Sequence, residues 1–373
     1  MSEARVSSAA PATAANEGDG YVAARVETGD LSRFVVAVLQ AAGADAPSAE
    51  NTARALVGAS LRGVDSHGVR LLPHYVKVLE GGRVKGRPAM RFEKRAAAVG
   101  RLDADHALGT AAGYRAMEEA IVLAEEAGVG AVSVFNSSHF GAAGAYSLAA
   151  AEAGYIGMAF CNANDAVLPH SGREAFHGTN PISFAVPVDG ERPYLIDMAT
   201  SSIPYNRILQ YRALDRELPD DVVVDGAGRV TRDPQAAESL LPLGGAGYGY
   251  KGAALAGMVE ILSAVLSGMR LDHEMADMFN SSWSEPRCLG QFFLAMKPSA
   301  FIDAATFQAQ MRRYLGALRG QDALPGTRVM AAGDREWAVE RARGADGVPL
   351  DTHNWQVFGE LSTRFAVPPL SAL

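Results

Sequence analysis

Asn136-Ser137-Ser138-His139-Phe140-Gly141-Ala142-Ala143-Gly144 opens the stretch that decides the fold. It continues through Cys161-Asn162-Ala163-Asn164 and His177-Gly178-Thr179-Asn180-Pro181, and closes on Asp197-Met198-Ala199-Thr200. Between these segments lie short apolar runs. Ala131 to Phe135, Tyr155 to Cys161, Ile182 to Pro187 and Tyr194 to Met198 each read as a strand. Each run stops at small or polar residues, the pattern of several strand ends feeding one crevice. His139 stands at its mouth.

Working outward, helices alternate with these strands. Leu108 to Ala127 carries Tyr114, Met117, Ile121 and Ala124 on one face, and Ala143 to Ala153 follows. This alternation argues for an α/β class with some parallel pairing. Upstream, Asp30 and Ser48 are expected N-caps of two helices, and Asp65-Ser66-His67-Gly68 leads into a third. Downstream, Leu218 to Pro234 is polar and turn-rich, a surface excursion. Ala253 to Leu266 is a helix, Gln291 to Met296 a strand, and the text from Phe301 onward is helical. Helical ends around an α/β middle suggest that the termini pack together as one discontinuous domain. The expected division is a tail at 1–24, helical segments at 25–95 and 301–373, and an α/β domain at 96–300 with the polar excursion at 218–234.

The chain has 373 residues, 48% hydrophobic and 20% charged, with a formal net charge of −8. A global basic field for nucleic acid is absent. No 18-residue apolar run suits a membrane span, and the N-terminus lacks a signal peptide's apolar core. Cys161 and Cys288 make no disulfide framework, which fits a reducing cytoplasm.

Two histidines invite chemistry. His67 is placed by pattern in the first turn of a helix, where the dipole disfavours imidazolium; its other reading is a capping or packing histidine. His139 follows a strand and precedes Gly141 and Gly144, where a ligand can approach; its other reading is a loop histidine bonded to backbone. Asn162, Asn164, Thr179 and Asn180 are uncharged donors and acceptors suited to an amide, a ribose or a substrate, and equally to turns. Asp197 suits a ribose hydroxyl or a cap.

Gly247-Tyr248-Gly249-Tyr250-Lys251-Gly252 matches G-x-G-x-x-G formally. No good strand feeds it and no βαβ unit surrounds it, so a dinucleotide fingerprint is rejected. Lys251 could still hold a phosphate at a helix start. His67 and His74 are seven apart, about 10 Å along a helix, too far to share a metal. Asp272-His273-Glu274 reads as a solvated run. Ser66 and His67 are adjacent, a spacing that rarely yields a nucleophile–base hydrogen bond, and a hydrolase would need an orienting acid that the text does not offer. Cys161 reads as a core thiol.

With these residues in place the chain resembles the malate/L-lactate dehydrogenase family that is distinct from Rossmann-type lactate and malate dehydrogenases. That family includes ureidoglycolate dehydrogenase, L-sulfolactate dehydrogenase, diketogulonate reductase and Δ1-piperideine-2-carboxylate reductase. The matching text is Ser66-His67-Gly68, Asn136 to Gly144, Gly178-Thr179-Asn180-Pro181, Asp197-Met198-Ala199-Thr200-Ser201, and Leu241-Pro242-Leu243-Gly244-Gly245 with Tyr250-Lys251-Gly252. The resemblance implies a non-Rossmann NAD(P)-binding sheet domain beside the discontinuous helical domain formed by both termini. It implies a homodimer with the active site at the domain and subunit boundary. It implies reduction of a 2-oxo or cyclic 2-imino acid by NADH or NADPH, or the reverse. Ser66, His67 and His139 match its catalytic positions. Ala163, Ile196, Asp197, Met198, Ala199, Lys251 and the Gly333-Asp334-Arg335 turn match its cofactor contacts, and Asn164 and Tyr250 join them here.

Three positions depart from the family pattern. Leu71 stands where an arginine usually follows the Ser-His-Gly histidine by four, with Arg70 one residue earlier. Asn206-Arg207 replaces a Gly-Lys pair, and Ala332-Gly333-Asp334 replaces Pro-Gly-Glu. Arg70 or Arg207 is expected to read substrate charge, and the changes suggest an atypical substrate. The alternative is a retained fold that binds a ligand or partner without turnover. The sequence leaves NADH versus NADPH open: Arg335 suits a 2′-phosphate, whereas Asp334 beside it repels one.

Overall fold

The computed structural model describes residues 22–373, so the tail expected at 1–24 lies outside the described residues except for its last three, which already belong to a strand. That strand, β1 (Val22–Val26), leads into α1 (Thr28–Ala41), α2 (Ala46–Leu61) and, after two 3-10 turns, α3 (Leu72–Glu80). Helix α1 buries Leu31, Phe34, Val35, Val38 and Leu39, the stripe its period prescribes. Its cap is Glu27, which accepts from the Asp30 N–H, and α2 is capped by Asp45, which accepts from the Ser48 N–H at 2.9 Å. Asp30 and Ser48 are therefore the capped residues rather than the caps. An N-cap side chain reaches forward to the second or third N–H, so the true caps lie three residues earlier.

The middle of the chain adds β2 (Arg91–Ala96), β3 (Val99–Asp103), α4 (Gly109–Ala127), β4 (Val129–Ser137), α5 (Gly144–Glu152), β5 (Ile156–Cys161), β6 (Ile182–Val186), β7 (Tyr194–Met198) and α6 (Tyr205–Ala213). Next come β8 (Val223–Val224), β9 (Val230–Thr231) and β10 (Ser239–Leu240), which make a small sheet. This segment is not merely polar: Leu218, Val222, Val223 and Leu240 pack with Ile208 into a core of its own. Helices α7 (Gly245–Tyr248) and α8 (Tyr250–Glu260) follow, the latter running into a π-helical turn at Ile261–Val265. β11 (Leu289–Met296), α9 (Ala304–Arg319), α10 (Asp334–Asp346), β12 (Val348–Asp351) and α11 (Thr352–Phe365) complete the chain.

Seven strands form the central sheet in the order β2-β3-β4-β11-β5-β6-β7. Within it β3 and β4 are parallel, and every other neighbouring pair is antiparallel. That is not the parallel, doubly wound sheet of a dinucleotide fingerprint. Strand β11 enters from far along the sequence and separates β4 from β5. On one side of β11, Gln291 and Phe293 meet α4 and α5; on the other, Gly290 lies so close to the Ser263 carbonyl of the π turn that a Cβ would stand 1.8 Å from it. Helices thus cover both faces.

Register fixes what shares an edge. Asp103 pairs with Phe135, Leu289 with Ser137, Gln291 with Cys161, Phe160 with Ile182, and Ile182 with Met198. The C-terminal ends of β3, β4, β5 and β7 therefore open at one edge with the starts of β6 and β11. Against this edge lies a layer from both termini. β1 pairs with β12, and Leu31, Leu56, Leu72 and Tyr75 share a core with Val348, Leu350, Phe358 and Leu361. Helix α9 instead packs Leu315 against Val188 and Ala331, beside the β6–β7 turn.

Candidate active site

His139 leaves the end of β4 on a stiff support. Gln291 Nε2 donates to Ser137 Oγ and to the carbonyls of Ser138 and Gly109. Ser138 Oγ bonds the Ala107 carbonyl and accepts the Gly109 N–H. A side chain at Gly109 would collide with the Ser138 and His139 carbonyls, so the start of α4 and this loop need that glycine. Tyr75, buried on α3, places its hydroxyl 2.9 Å from His139 Nδ1 and 3.4 Å from the His139 carbonyl.

His67 comes from the opposite side. It ends a 3-10 turn, Asp65–His67, and the α-helix begins only at Leu72. The helix-dipole argument for a low pKa therefore falls, because Pro73 and Gly68 delay the helix. A different anchor replaces it. Arg343 of α10 is buried and grips both oxygens of Asp65, at 2.6 and 2.9 Å, while also bonding the Ser60 carbonyl. Ser66 Oγ lies 2.9 Å from His67 Nδ1, against the expectation for adjacent residues, because the tight turn folds the hydroxyl onto its neighbour. Asp65 is taken by Arg343, so no acid orients a Ser66–His67 nucleophile. Asn206, at the start of α6, donates to the Ser66 carbonyl and ties the chain beyond β7 to this turn.

The two rings face each other, centroids 5.9 Å apart and 23° from parallel. Burial, and then the Arg70 charge, lower His67 to about 4. Burial, with the charges of His67, His74 and Arg287, holds His139 well below the ordinary imidazole value. Both are neutral near pH 7, paired as an acceptor or donor with a hydroxyl each. Arg70 is exposed, and Leu71 turns into the terminal core.

The other expected residues divide. Asp197, at the end of β7, is raised to about 6 by burial and held by the Gly144 N–H; a Cβ on Gly144 would sit 2.6 Å from its Oδ2. Ile196, Met198 and Ala199 flank it, partly exposed on the edge strand. Asn180 is fully buried: its Oδ1 accepts the Ala163 N–H and its Nδ2 donates to Asp272 Oδ2 and the Ala256 carbonyl. It joins two strand ends. The Thr179 carbonyl accepts from Thr200, and Asn164 Oδ1 accepts from Arg287 at 2.7 Å. Arg207 donates to Gln210 on its own helix. Tyr250 and Lys251 are exposed at the start of α8, with Lys251 Nζ 5.3 Å from the Tyr248 ring centre. Gly333 lies alongside β7, Asp334 is clamped by Arg319, and Arg335 pairs with Glu336.

Asp272 corrects the reading of a solvated run: it is completely buried. Both its oxygens accept, from Asn162, Gly178 and Asn180, and its N–H donates to Glu260. Glu260 in turn bonds His177 Nδ1 at 3.0 Å. His177, Glu260 and Asp272 are close enough for a metal, but each of the four carboxylate oxygens already accepts at least one hydrogen bond within the protein. The trio is a brace for the ends of β5 and β6.

Sequence reasoning missed Tyr75 and Arg287. Arg287, 3% exposed just before β11, bonds the Ala276 carbonyl and Asn164 but makes no salt bridge among the described residues. Burial, and the Arg83 charge, lower it to about 10. Its signal was a lone arginine at the entry of an apolar strand. Which edge that strand enters is not written in the sequence.

Comparison with known proteins adds the lineage. The family model described as malate/L-lactate dehydrogenase matches residues 26–358. A malate dehydrogenase of Pyrococcus abyssi is 33% identical over 94% of this chain and 97% of its own length. A (2R)-3-sulfolactate dehydrogenase (NADP(+)) of Chromohalobacter salexigens is 38% identical over 84% and 91%. The solved malate dehydrogenase of Pyrococcus horikoshii superposes with a TM-score of 0.85 at 32% identity, covering 94% of this chain and 99% of that one.

Proposed function

The chain belongs to the malate/L-lactate dehydrogenase family and is an NAD(P)-dependent dehydrogenase of it; we propose that it interconverts a 2-oxo acid, or a cyclic 2-imino acid, with its hydroxy or amino counterpart, using His139 and His67 for the proton and Arg287 for the substrate carboxylate. The observation that carries this reading is the pair of neutral, facing imidazoles beside a buried guanidinium without a carboxylate partner. A buried cation left uncompensated costs several kcal/mol, and an anionic substrate supplies the missing charge. Arg287 then does the work of the arginine displaced by Leu71. Arg70 and Arg207 remain at the entrance.

The strand edge suits a nicotinamide dinucleotide. β7 is an edge strand, so its outer backbone groups are open to ligand amide and hydroxyl groups beyond Leu195, whose N–H goes to the Ala332 carbonyl. Ala163, Asn164, Ile196 to Ala199, Tyr250, Lys251 and the Gly333–Arg335 turn are our cofactor contacts, with Thr179 and Asn180 shaping the floor. When bound, the reduced cofactor supplies a hydride to the substrate carbon. Arg287 orients the carboxylate by charge-assisted hydrogen bonds. As its imidazolium, His139 gives the Nε2 proton to the oxygen or nitrogen and returns to the neutral ring, with the Tyr75 hydroxyl accepting from Nδ1–H in both states. In the oxidative direction the neutral ring accepts that proton. His67, with Ser66 on its Nδ1, presents Nε2 to the same space.

We also read the terminal helical layer as one discontinuous domain, on the strength of its shared core and the β1–β12 pair. The protein is a homodimer in a reducing cytoplasm on this account. Ile261, Val265 and Leu266 on the π turn are 58%, 57% and 58% exposed, a contiguous apolar face that suits a second copy. No helix among the described residues is long and apolar enough to cross a membrane. The test of function is a screen over 2-oxo acids and cyclic imino acids with each reduced cofactor, following nicotinamide absorbance. Turnover on at least one supports the reading. Tight cofactor binding with no turnover on any would favour a non-catalytic relative, for which the comparisons give no support. Light scattering of Ile261→Asp tests the dimer.

A further inference from the structure

A cleft of about 500 Å³ opens at the far end of β7 from the histidines, lined by Arg192, Arg319, Arg328, Asp334, Trp337 and Arg341. We infer that this cleft receives a phosphomonoester, the 2′-phosphate on the adenosine end of NADP(H), and that the enzyme prefers NADP(H) to NAD(H). The inference rests on the dehydrogenase reading above and names the cofactor that site selects.

Charge decides it. Arg319 is spent on acids: it bonds both oxygens of Asp334, at 3.0 and 2.7 Å, and Glu191 at 2.7 Å. Asp334 also accepts the Ala331 N–H, and its carboxyl stays below the usual range through hydrogen bonds from Arg319. The carboxylate that would repel a phosphate is thereby neutralised. Arg192 is likewise matched by Glu340 and Glu152, and lies 4.4 Å over the Trp337 ring. Arg328, whose charge also acts on Asp334, and Arg341 remain. Both line the cleft, both are exposed, and neither makes a salt bridge among the described residues. Two guanidinium groups with forked donors match a phosphate dianion rather than a ribose hydroxyl.

Position agrees. The Gly333 turn runs beside β7, with the Leu195 N–H donating to the Ala332 carbonyl. Asp197 and Arg192 are five residues apart, roughly 16 Å along extended chain. An extended dinucleotide with its nicotinamide at the histidine edge brings its adenosine to this cleft, where its pyrophosphate, being central, does not reach.

The experiment measures dissociation constants of NADPH, NADH, 2′,5′-ADP and inorganic phosphate on the full chain, by fluorescence and calorimetry, for the wild type, Arg328→Ala and Arg341→Ala. The inference expects the wild type to hold NADPH tighter than NADH. Each variant should weaken NADPH and 2′,5′-ADP on the order of 10-fold. NADH affinity should be unchanged, which also reports an intact fold. Equal affinity for both dinucleotides, or equal weakening of both in the variants, overturns the inference and leaves the dehydrogenase reading standing. Inorganic phosphate as tight as 2′,5′-ADP overturns it in favour of a free-phosphate site. Binding of neither dinucleotide removes the dehydrogenase reading itself.

Discussion

Replacing Tyr75 by Phe tests the pairing of His139 with its hydroxyl. Tyr75 is 1% exposed, and burial raises its hydroxyl far above the ordinary phenol, so it stays protonated wherever the enzyme works. Its oxygen lies 2.9 Å from Nδ1 and 3.4 Å from the His139 carbonyl. With its proton on the carbonyl, Tyr75 accepts from Nδ1–H and leaves the Nε2 lone pair free. When Nε2 is protonated as well, the same Nδ1–H bond to the Tyr75 oxygen holds the imidazolium while Nε2–H is donated. Removing the oxygen strands a buried ring nitrogen, a penalty of roughly 1–3 kcal/mol. At 1.36 kcal/mol per tenfold, that is roughly 5- to 150-fold in rate if it falls on the proton-transfer step. Phe fills nearly the same volume, so the fold should persist. Stopped-flow single turnovers at saturating cofactor should show this loss, with the dissociation constant of the reduced cofactor unchanged. A rate within twofold of wild type, or an equal loss of cofactor affinity, refutes the reasoning.

The histidines also set a pH signature. Reduction needs a protonated donor and oxidation a neutral acceptor. With His67 lowered to about 4 and His139 also low, kcat/KM for oxidation should stay flat from alkaline pH down to about 5, while that for reduction falls continuously as pH rises above about 5; an oxidative acid limb at the ordinary imidazole pKa would contradict this. Arg287→Met should lower kcat/KM for carboxylate substrates by roughly 10- to 150-fold, the worth of a charge-assisted contact, without lowering the melting temperature, since it removes an uncompensated buried cation. A lower melting temperature with unchanged kinetics would make Arg287 structural. His74, buried and lowered to about 3, takes up its proton only on unfolding between that value and about 6.5. Stability should therefore fall with pH in that window, by about 2 kcal/mol at pH 5 from this group, and denaturant titrations of His74→Gln should show a flatter profile.

The strand ends were legible because small and polar residues interrupt apolar runs at Asn136, Asn162, Asn180 and Asp197, and their register does meet at one edge. Helix stripes were legible for the same reason of period. The insertion of β11 between β4 and β5 was not, since pairing order depends on contacts across more than a hundred residues. Arg287 and Gln291 were hidden with it. The buried state of Asp272 was hidden too: Asp272-His273-Glu274 looks solvated until Gly178, Asn162 and Asn180 converge on one carboxylate. The turn at His67 was not legible, because Gly68 and Pro73 postpone the α-helix to Leu72.

Most directly, His139→Ala should be measured for turnover and for reduced-cofactor affinity in one preparation. Loss of roughly 10²- to 10⁴-fold in turnover, with the cofactor dissociation constant within twofold of wild type, is the expected result. Turnover retained, or lost only in proportion to cofactor binding, would show that the imidazole at the end of β4 does not carry the proton.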